Sequence, residues 1–324
     1  MDERVNQSES QRHRLTTSQV KAKAADLGFI ACGVTTLDPI PHAEHLDRWL
    51  KSGCAGNMRY IHRQAKKRKN PHLAEVQANR AIVVLDNYYY REPAHQTPHE
   101  GRVKVARYAS GEDYHRSTFD RIQTLAEYLK DGGATIARPY LDTGPVQERE
   151  LAQRAGLGWI GKNTMLIRPG VGSWFFIGCV LTDLMLEIDP PFTTDHCGSC
   201  TRCLDACPTD AFVEPRMLDA TRCISYATIE QKGSIAREIA SRMEGWAFGC
   251  DICNEVCPWN ERFAVESAVT AFRPRQEPDT ADPSCFATMS DEEFAARFAD
   301  TPLARPGLAR MRRNWRAAFD SLGG

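Results

Sequence analysis

The sequence predicts an α/β fold in three parts: an N-terminal α/β sandwich, a small cysteine-rich domain and a short helical tail. Helix-like and strand-like segments alternate through the first half of the chain, which is typical of a sheet covered by helices. Eight of the 12 cysteines then fall within residues 197–257, and no strand periodicity follows residue 263. Because 324 residues exceed what one core usually fills, we place the three parts at residues 15–188, 189–262 and 263–324.

The N-terminal part begins with a helix over residues 21–27 that Ser18 can cap and that ends at Gly28. The later segments alternate in the same way, with strands predicted at 29–34, 81–85, 103–108, 134–140 and 174–181, and helices at 42–51, 117–130 and 145–155. Pro145 suits the first turn of the last helix, since its missing N–H would have no partner there. The junction Asp189-Pro190-Pro191 ends the sandwich.

Composition and charge exclude several classes of protein. The hydrophobic fraction of 42% suits a globular chain, and a formal net charge of -1 argues against a molecule-wide field for nucleic acid. No window approaches the roughly 20 apolar residues that span a bilayer. Residues 1–17 contain neither the apolar core of a signal peptide nor a twin-arginine signal. We therefore expect a cytoplasmic protein without a membrane partner.

The cysteine-rich segment has the spacing of a two-cluster bacterial ferredoxin. It reads Cys197-Gly-Ser-Cys200-Thr-Arg-Cys203-Leu-Asp-Ala-Cys207-Pro208, then Cys223, then Cys250-Asp-Ile-Cys253-Asn-Glu-Val-Cys257-Pro258. In this pattern the cysteine before the proline binds the other cluster. We therefore assign Cys197, Cys200, Cys203 and Cys257 to the first [4Fe–4S] cluster, and Cys207, Cys223, Cys250 and Cys253 to the second. Zinc is the alternative, because paired cysteines also bind it, but this run is far more restrictive.

The N-terminal part must add the chemistry, because two clusters alone would make an electron carrier. Asp142 follows a predicted strand, where open α/β sheets place reacting groups. Its neighbours Tyr140, Leu141 and Pro145 are largely apolar, and loss of water raises the pKa of a carboxyl group, as a proton donor near neutral pH requires. Asp142 could instead cap the helix beginning near Pro145, and spacing alone favours the cap.

Three glycines, Gly156, Gly158 and Gly161, superficially suggest a dinucleotide-binding loop. Such a loop should follow a strand and open a helix, whereas these glycines close one. We interpret Gly156 as a helix C-cap and the rest as a tight turn whose backbone can approach a large flat ligand. Lys162 and Asn163 would then project polar groups towards that ligand, and a purely structural turn is the alternative.

A series of blocks resembles the epoxyqueuosine reductase family over nearly the whole chain. In order they are GNMRY at 56–60, ARYASGEDYH at 106–115, PYLDTGPVQERE at 139–150, GWIGKNT at 158–164, GSWFF at 172–176 and RCISYATIE at 222–230. Two positions depart from the family pattern, which commonly has an acidic residue in place of Asn57 and a basic one in place of Glu112. Neither of these two side chains can therefore be essential. We expect no C-terminal helical-repeat extension, which some members carry.

The resemblance implies a cobalamin cofactor between the α/β part and the ferredoxin-like cluster domain. It makes Asp142 the proton donor, which reverses the preference for a helix cap. The residues expected to bond the amide or phosphate rim of the cofactor are Arg68, Arg107, Lys162, Asn163, Ser173 and Ser225. A solvated helix face explains Arg68 almost as well. The cysteines outside the cluster set are given no role; they are Cys32, Cys54, Cys179 and Cys285.

The family's reaction removes the epoxide oxygen of epoxyqueuosine at the wobble position of tRNA, giving queuosine and water. The resemblance implies a Co(I) centre that attacks the epoxide carbon, a carboxyl group that protonates the leaving oxygen, and clusters that pass on electrons from an external donor. The enzyme must also extrude the base and hold the RNA by its phosphates. Basic runs at residues 63–69 and 305–316 can supply those contacts. We expect a monomer.

Two other classes stay open on the sequence. A corrinoid reductive dehalogenase also combines cobalamin with two clusters, but such enzymes are usually exported behind a twin-arginine signal. A ferredoxin-type electron-transfer protein would leave the whole N-terminal sandwich without a purpose.

Overall fold

A computed structural model describes residues 15–91, 102–275, 278, 282 and 284–323. The interpretation of the N-terminus as free of a signal lies largely on residues 1–14, outside these ranges. No helix in the described ranges combines the length and the apolar character of a membrane span.

The N-terminal part alternates between helices and strands. Its helices are α1 (Thr17–Asp26), α2 (Ala43–Lys51), α3 (Arg59–Arg63), α4 (Ala65–Lys69), α5 (Tyr114–Asp131) and α6 (Glu148–Arg154). Its strands are β1 (Ala31–Thr36), β2 (Arg80–Asn87), β3 (Lys104–Val105), β4 (Ala137–Leu141), β5 (Trp159–Ile160), β6 (Leu166–Ile167) and β7 (Phe175–Thr182).

A four-stranded sheet in the order β1-β2-β7-β4 forms the middle layer. All three pairings are antiparallel, and β2 is buried along nearly its whole length. Ile82 of β2 packs in one core with α1 and with Ile122 of α5, whereas Val83 packs in a second core with Leu151 of α6. Because successive strand residues face opposite sides, one strand supplies both cores. The predicted α/β sandwich is confirmed.

Several helix starts differ from the predicted ones for local reasons. Thr16, not Ser18, caps α1, because Thr16 and Gln19 form a capping box. Helix α5 begins at Tyr114, three positions earlier than predicted, because the Asp113 side chain accepts a hydrogen bond at its N-terminus. Helix α6 begins at Glu148, so Pro145 lies in the preceding loop and not in the first turn.

The cysteine-rich part contains short elements. They are α7 (Arg202–Asp205), β8 (Phe212–Glu214), β9 (Met217–Leu218), α8 (Ile224–Ile229), α9 (Arg237–Ala240), β10 (Trp246–Phe248), α10 (Ile252–Glu255) and α11 (Pro258–Phe263). Strand β10 pairs in parallel with β3, where Trp246 aligns with Lys104. The predicted strand at 103–108 is therefore reduced to β3, and it joins the cluster part instead of the central sheet.

The tail forms α12 (Asp291–Phe298) and α13 (Leu308–Asp320). Met311 and Trp315 of α13 share a core with Trp246 and Phe248 of β10. As predicted, the described part of the tail contains short helices and folds back on the body. Helix α13 packs on the cluster part, because its apolar face meets β10 there. The start of the tail instead reaches the central sheet, where the Phe272 ring lies 5.2 Å from that of Phe176 in β7.

Candidate active site and cluster centres

Asp142 is the first residue after β4 and has a φ of 58°. This left-handed conformation is uncommon for residues other than glycine, but aspartate adopts it more readily than most. The turn is tight, since the Thr143 N–H donates to the Leu141 carbonyl at 2.6 Å. Helix α6 starts beyond this turn with Gln147 at its N-cap position, so Asp142 does not cap the helix. The alternative of a helix cap is wrong.

One carboxylate oxygen of Asp142, Oδ2, has three contacts. The Tyr114 hydroxyl donates to it at 2.9 Å. His115 Nε2 lies 3.8 Å away and a guanidinium nitrogen of Arg305 lies 4.0 Å away. The Asp142 side chain is nevertheless 52% exposed, so the apolar enclosure predicted from its neighbours is wrong. These contacts fix the Oδ2 atom of Asp142, and the rest of the carboxyl group is accessible to solvent.

Stacked aromatic rings support this carboxyl group. The Tyr114 ring lies 4.1 Å from Phe176 of β7 and 4.2 Å from the His115 ring. Burial, together with the charge of Asp142, raises the pKa of the Tyr114 hydroxyl well above its ordinary value. Tyr114 therefore keeps its proton and remains a hydrogen-bond donor to Asp142.

Arg305 reaches this site from the tail. Its guanidinium contacts Glu230 at 2.5 Å as well as Asp142. Arg310 donates to the carbonyls of Pro306 and Ile229, at 2.6 and 2.9 Å. Arg305 and Arg310, both in the basic run predicted to contact phosphates, thus have partners within the protein.

Arg312 and Arg313 are used in the same way. Arg312 donates to the Phe286 carbonyl at 2.9 Å, and Arg313 donates to the carbonyls of Gln231 and Ala227 at 3.0 and 2.8 Å. Arg313 therefore fastens α13 to the end of α8, and Arg312 fastens it to the segment that precedes α12.

Replacing Arg313 by Ala is expected to lower the free energy of unfolding by about 1–3 kcal/mol, because buried carbonyls lose a charged donor. Chemical denaturation measures the change. Arg316→Ala is the matched control, since Arg316 is an exposed residue of the same helix. Equal stability of the two variants would contradict this role.

The loop between Asp142 and α6 is held by Arg68 of α4. Its guanidinium donates to the carbonyls of Gly144 and Val146, each at 3.3 Å. Arg68 is therefore not on a solvated helix face. Its Nε atom is buried, as is Oε1 of Glu148, and neither has a hydrogen-bond partner among the described residues. Burial, reinforced by the charge of Asp142, raises the pKa of Glu148 to about 7.

A cavity of about 620 Å³ lies beside this loop. The α/β part contributes Ile40, Trp49, Arg68, Gln147, Arg149 and Trp159 to its lining, and the cluster part contributes Asp195, Arg216 and Leu218. The hairpin β8–β9 meets α2 here, where the Trp49 indole donates to the Leu218 carbonyl at 2.6 Å. The cavity thus opens between the α/β part and the cluster part, and aromatic, aliphatic and hydrogen-bonding groups line it.

The cluster cysteines lie in two groups. Burial raises the pKa of Cys203 to about 11, and the neighbouring thiols of Cys197, Cys257 and Cys200 add to the shift. Cys257 in turn lies within electrostatic range of Cys197 and Cys200. These are the four residues that the sequence assigns to the first cluster.

The second group is built in the same way. Burial raises the pKa of Cys253 far above its ordinary value, and the neighbouring thiols include Cys223, Cys203 and Cys207. Cys250 lies within range of Cys253 and Cys223. Because Cys203 belongs to the first group, its proximity to Cys253 brings the two groups next to each other.

Polar groups fix the cysteine loops. Lys162 donates to the carbonyls of Gly198 and Cys200 at 2.7 and 2.9 Å. The Asn163 amide, 3% exposed, donates to the Cys253 carbonyl at 3.3 Å. Both side chains, which were expected to point at a flat ligand, instead bond to the cysteine loops.

The other predicted rim residues also bond to protein. Ser173 is 1% exposed, and its hydroxyl accepts from the Asn260 amide at 2.9 Å. The Ser225 N–H donates to the thiol of Cys223. Arg107 donates to the Tyr90 carbonyl at 3.0 Å and contacts Glu255 at 3.4 Å. Of the rim candidates, Arg68 lines the cavity.

Sequence reasoning did not identify Tyr114, His115 and Arg305 as contacts of Asp142. Tyr114 and His115 stand at the end of the block 106–115. The block marked them as family residues, but it did not indicate that they contact Asp142. Arg305 was assigned to a basic run because its acidic partners are remote in sequence. Asn260, which links Ser173 to the Cys257 segment, had no signal beyond its position near the last cluster cysteine.

Comparison with protein families gives two matches. A family model described as "4Fe-4S double cluster binding domain" matches residues 196–260. A second, described as "Epoxyqueuosine reductase QueG, DUF1730", matches residues 68–143. The first match supports iron–sulfur clusters over the zinc alternative, and the second covers the stretch from Arg68 to the turn after Asp142.

Curated proteins named epoxyqueuosine reductase are similar over most of the chain. The one from Pseudomonas aeruginosa is 40% identical over 298 residues, which are 91% of this chain and 82% of that protein. The one from Cellulophaga algicola is 37% identical over 297 residues, 91% of this chain and 95% of that protein.

Solved structures match as well. An epoxyqueuosine reductase crystallised with an epoxyqueuosine-modified tRNA-Tyr stem loop superposes with a TM-score of 0.86 at 28% identity, over 94% of this chain and 81% of that one. The Bacillus subtilis enzyme, with an aspartate-bearing catalytic loop swung out of the active site, gives a TM-score of 0.82 at 28% identity, over the same 94% and 81%.

Proposed function

The chain belongs to the epoxyqueuosine reductase family, and we propose that it reduces epoxyqueuosine to queuosine in tRNA, using cobalamin and two [4Fe–4S] clusters. The observation that carries the proposal is the Asp142 carboxyl group, held at one oxygen by Tyr114. It stands at the start of a loop whose carbonyls are bound by Arg68, and Arg68 lines the cavity. A separate electron-transfer role is not supported, because the similarity to epoxyqueuosine reductases includes the α/β part.

Anaerobic reconstitution with iron, sulfide and cobalamin, followed by nucleoside analysis of tRNA from a strain lacking this protein, tests the proposal. We expect epoxyqueuosine to be replaced by queuosine when a one-electron donor is supplied. The same protein without cobalamin is the control. Conversion without cobalamin, or none with it, would contradict the assignment.

Asp142 is proposed as the proton donor to the departing epoxide oxygen. A general acid must reach the substrate, and the half-exposed Asp142 side chain can do so. The Tyr114 hydroxyl, which donates to Oδ2, fixes the carboxyl group in place for this role. A catalytic loop with an aspartate in the Bacillus subtilis relative supports this role.

The cavity of about 620 Å³ is the proposed cobalamin site. The residues present fit this cofactor, because its many amide side chains need both donors and acceptors, and Arg68, Gln147, Arg149 and Glu150 line the cavity. The Arg68 Nε atom is buried and has no hydrogen-bond partner in the described structure. When bound, cobalamin supplies a strongly reducing cobalt centre.

Lys162, Asn163, Ser173 and Ser225 are proposed to support the iron–sulfur clusters instead of the cobalamin rim. Each bonds to a cysteine loop or to the residues that flank one. Most of these bonds hold the loops in place, whereas the backbone N–H of Ser225 bonds the Cys223 sulfur itself, the kind of bond that tunes the reduction potential of a cluster. Arg107 is proposed to lock the cluster part onto the aromatic residues Tyr89 and Trp174, over which its guanidinium lies at 5.4 and 5.3 Å.

Helices α3 and α4 are the proposed RNA-binding surface. Arg59, Arg63, Lys66 and Lys67 are exposed there. This surface adjoins the active site, because Tyr60 of α3 lies within electrostatic range of both Asp142 and Arg305. Exposed lysines and arginines can bind phosphates, whereas Arg310, Arg312 and Arg313 of the tail donate to carbonyl groups.

Replacing Arg63 and Lys66 by Ala is expected to weaken tRNA binding and to flatten its salt dependence by roughly one to two units of slope. Turnover at saturating tRNA should change little. Lys23→Ala with Lys130→Ala is the matched control, since both lysines lie near the far end of α5. Binding measured across a salt series checks this, and equal slopes for both double variants would contradict the proposed surface.

A further inference from the structure

The proton requirement of the proposed reaction exceeds what Asp142 can hold. Both carbon–oxygen bonds of the epoxide break, a carbon–carbon double bond forms, and the oxygen leaves as water. Two electrons arrive from an external one-electron donor through the clusters, and the water takes up two protons. A single carboxylic acid carries one of them, so a second proton has to reach the site within each turnover.

A histidine beside Asp142 is arranged for this transfer. Asp113 Oδ1 accepts a hydrogen bond from His115 Nδ1 at 2.8 Å and another from the His115 backbone N–H at 2.9 Å. A carboxylate at Nδ1 keeps a proton on that nitrogen, so Nε2 is the nitrogen that gains and loses one. Nε2 faces Asp142 Oδ2 at 3.8 Å.

We propose that His115 reprotonates Asp142 during turnover and that Asp113 is the residue that positions His115. This inference rests on the proposed role of Asp142 as the acid. In the step, the N–H bond at Nε2 of the imidazolium breaks and an O–H bond forms on the Asp142 carboxylate. The neutral ring then takes a proton from water, which its 32% exposure permits.

The other two contacts of Asp142 Oδ2 cannot perform this step. Burial and the charge of Asp142 raise the pKa of Tyr114 well above its ordinary value, so its proton is not available near neutral pH. Arg305 does not release a proton in proteins. Histidine is the side chain whose ordinary pKa suits exchange near pH 7.

The distance of 3.8 Å between Nε2 and Oδ2 is that of an ion pair and is longer than a hydrogen bond. A small rotation or one bridging water closes it, and catalytic hydrogen bonds often shorten when substrate binds. The charged groups around the pair are Asp113 and Arg116 on α5 and its cap, and Arg305 from the tail.

A purely structural role for His115 is the alternative, since Asp113 also caps α5. His115→Asn separates the two roles. The Asn amide can still donate towards Asp113, but it has no titrating nitrogen facing Asp142. His72→Asn is the matched control, because His72 is another partly buried histidine whose Nδ1 bonds to a carbonyl, that of Ala78, at 3.1 Å.

We expect His115→Asn to lower turnover on tRNA by about 10-fold to 100-fold, with cluster content, cobalamin binding and tRNA affinity unchanged. The solvent deuterium isotope effect should rise, because proton delivery becomes slower than the other steps. The pH profile of turnover should also change, because Asn cannot take up and release a proton. Imidazole added to His115→Ala should restore part of the rate.

Full turnover of His115→Asn would overturn the relay. A slower variant with the wild-type pH profile and isotope effect, and no rescue of His115→Ala by imidazole, would assign His115 a structural role and equally reject the proposal. The two hypotheses fail separately. If Asp142→Asn is active, Asp142 is not the acid and both hypotheses are rejected. If Asp142→Asn is inactive and His115→Asn is fully active, Asp142 remains the acid and only the proton relay through His115 is rejected.

Discussion

Replacing Asp142 by Asn is expected to lower turnover on epoxyqueuosine-containing tRNA by roughly 100-fold or more, the scale of losing a general acid. Asn keeps the shape of the side chain and tolerates the left-handed backbone at this position, where φ is 58°. Its amide oxygen can still accept from the Tyr114 hydroxyl. What the variant lacks is the transferable proton, so cobalamin binding, cluster content and tRNA affinity should stay near those of the wild type.

Asp210→Asn is the matched control for this experiment. Asp210 also has a positive φ, 49°, and its carboxylate lies near two arginines, Arg222 and Arg242. It lies in the cluster part, away from the contacts of Asp142, and its replacement should leave turnover unchanged. Normal conversion by Asp142→Asn would remove Asp142 from the mechanism and leave protonation to water or a neighbouring side chain.

The position of Asp142 at the end of a strand could be predicted from the sequence, but its surroundings could not. Apolar neighbours along the chain indicated a buried carboxyl group. The side chain is 52% exposed, because the turn after β4 directs it away from those neighbours. Its partner Tyr114 lies 28 positions earlier on α5, and such a contact depends on how α5 packs against the sheet. Spacing in the sequence carries no such information.

The sequence blocks that resemble the family indicated which residues belong to the functional site, but they did not indicate what those side chains contact. Lys162 and Asn163 were expected beside a flat ligand, and both bond to cysteine loops. A glycine at the end of α6 was predicted, and Gly156, with a φ of 73°, follows the C-cap residue Ala155. The contacts of the turn after α6 could not be predicted, because the cysteine loops that approach it are remote in sequence.

Charge runs gave the weakest predictions. Arg63 and Lys66 are exposed, as an RNA-binding run requires. Arg312 and Arg313, equally basic in sequence, donate to backbone carbonyls at the ends of other segments. A guanidinium satisfies helix ends and phosphates by the same hydrogen bonds, so composition alone cannot separate the two uses.

Cysteine spacing, in contrast, predicts a wiring of the clusters that a pair of variants can test. Cys257 lies within electrostatic range of Cys197 and Cys200, although Cys253 is nearer in sequence. Cys253 lies within range of Cys223 and Cys207. The crossed arrangement follows from short helices, α7 and α10, that place the last cysteine of each run opposite the other run.

Replacing Cys257 by Ser is expected to remove the first cluster, because a neutral hydroxyl is a poor substitute for a thiolate ligand of iron. Cys253→Ser, four positions earlier in the chain, should remove the second cluster instead. Each variant should retain about half of the wild-type iron, with one of the two EPR signals, and should lose turnover because electrons no longer pass through both clusters. Cys285→Ser, outside both groups, should keep all the iron. Loss of the same signal in both cluster variants would reject the crossed wiring, since each cysteine would then serve the cluster of its own run.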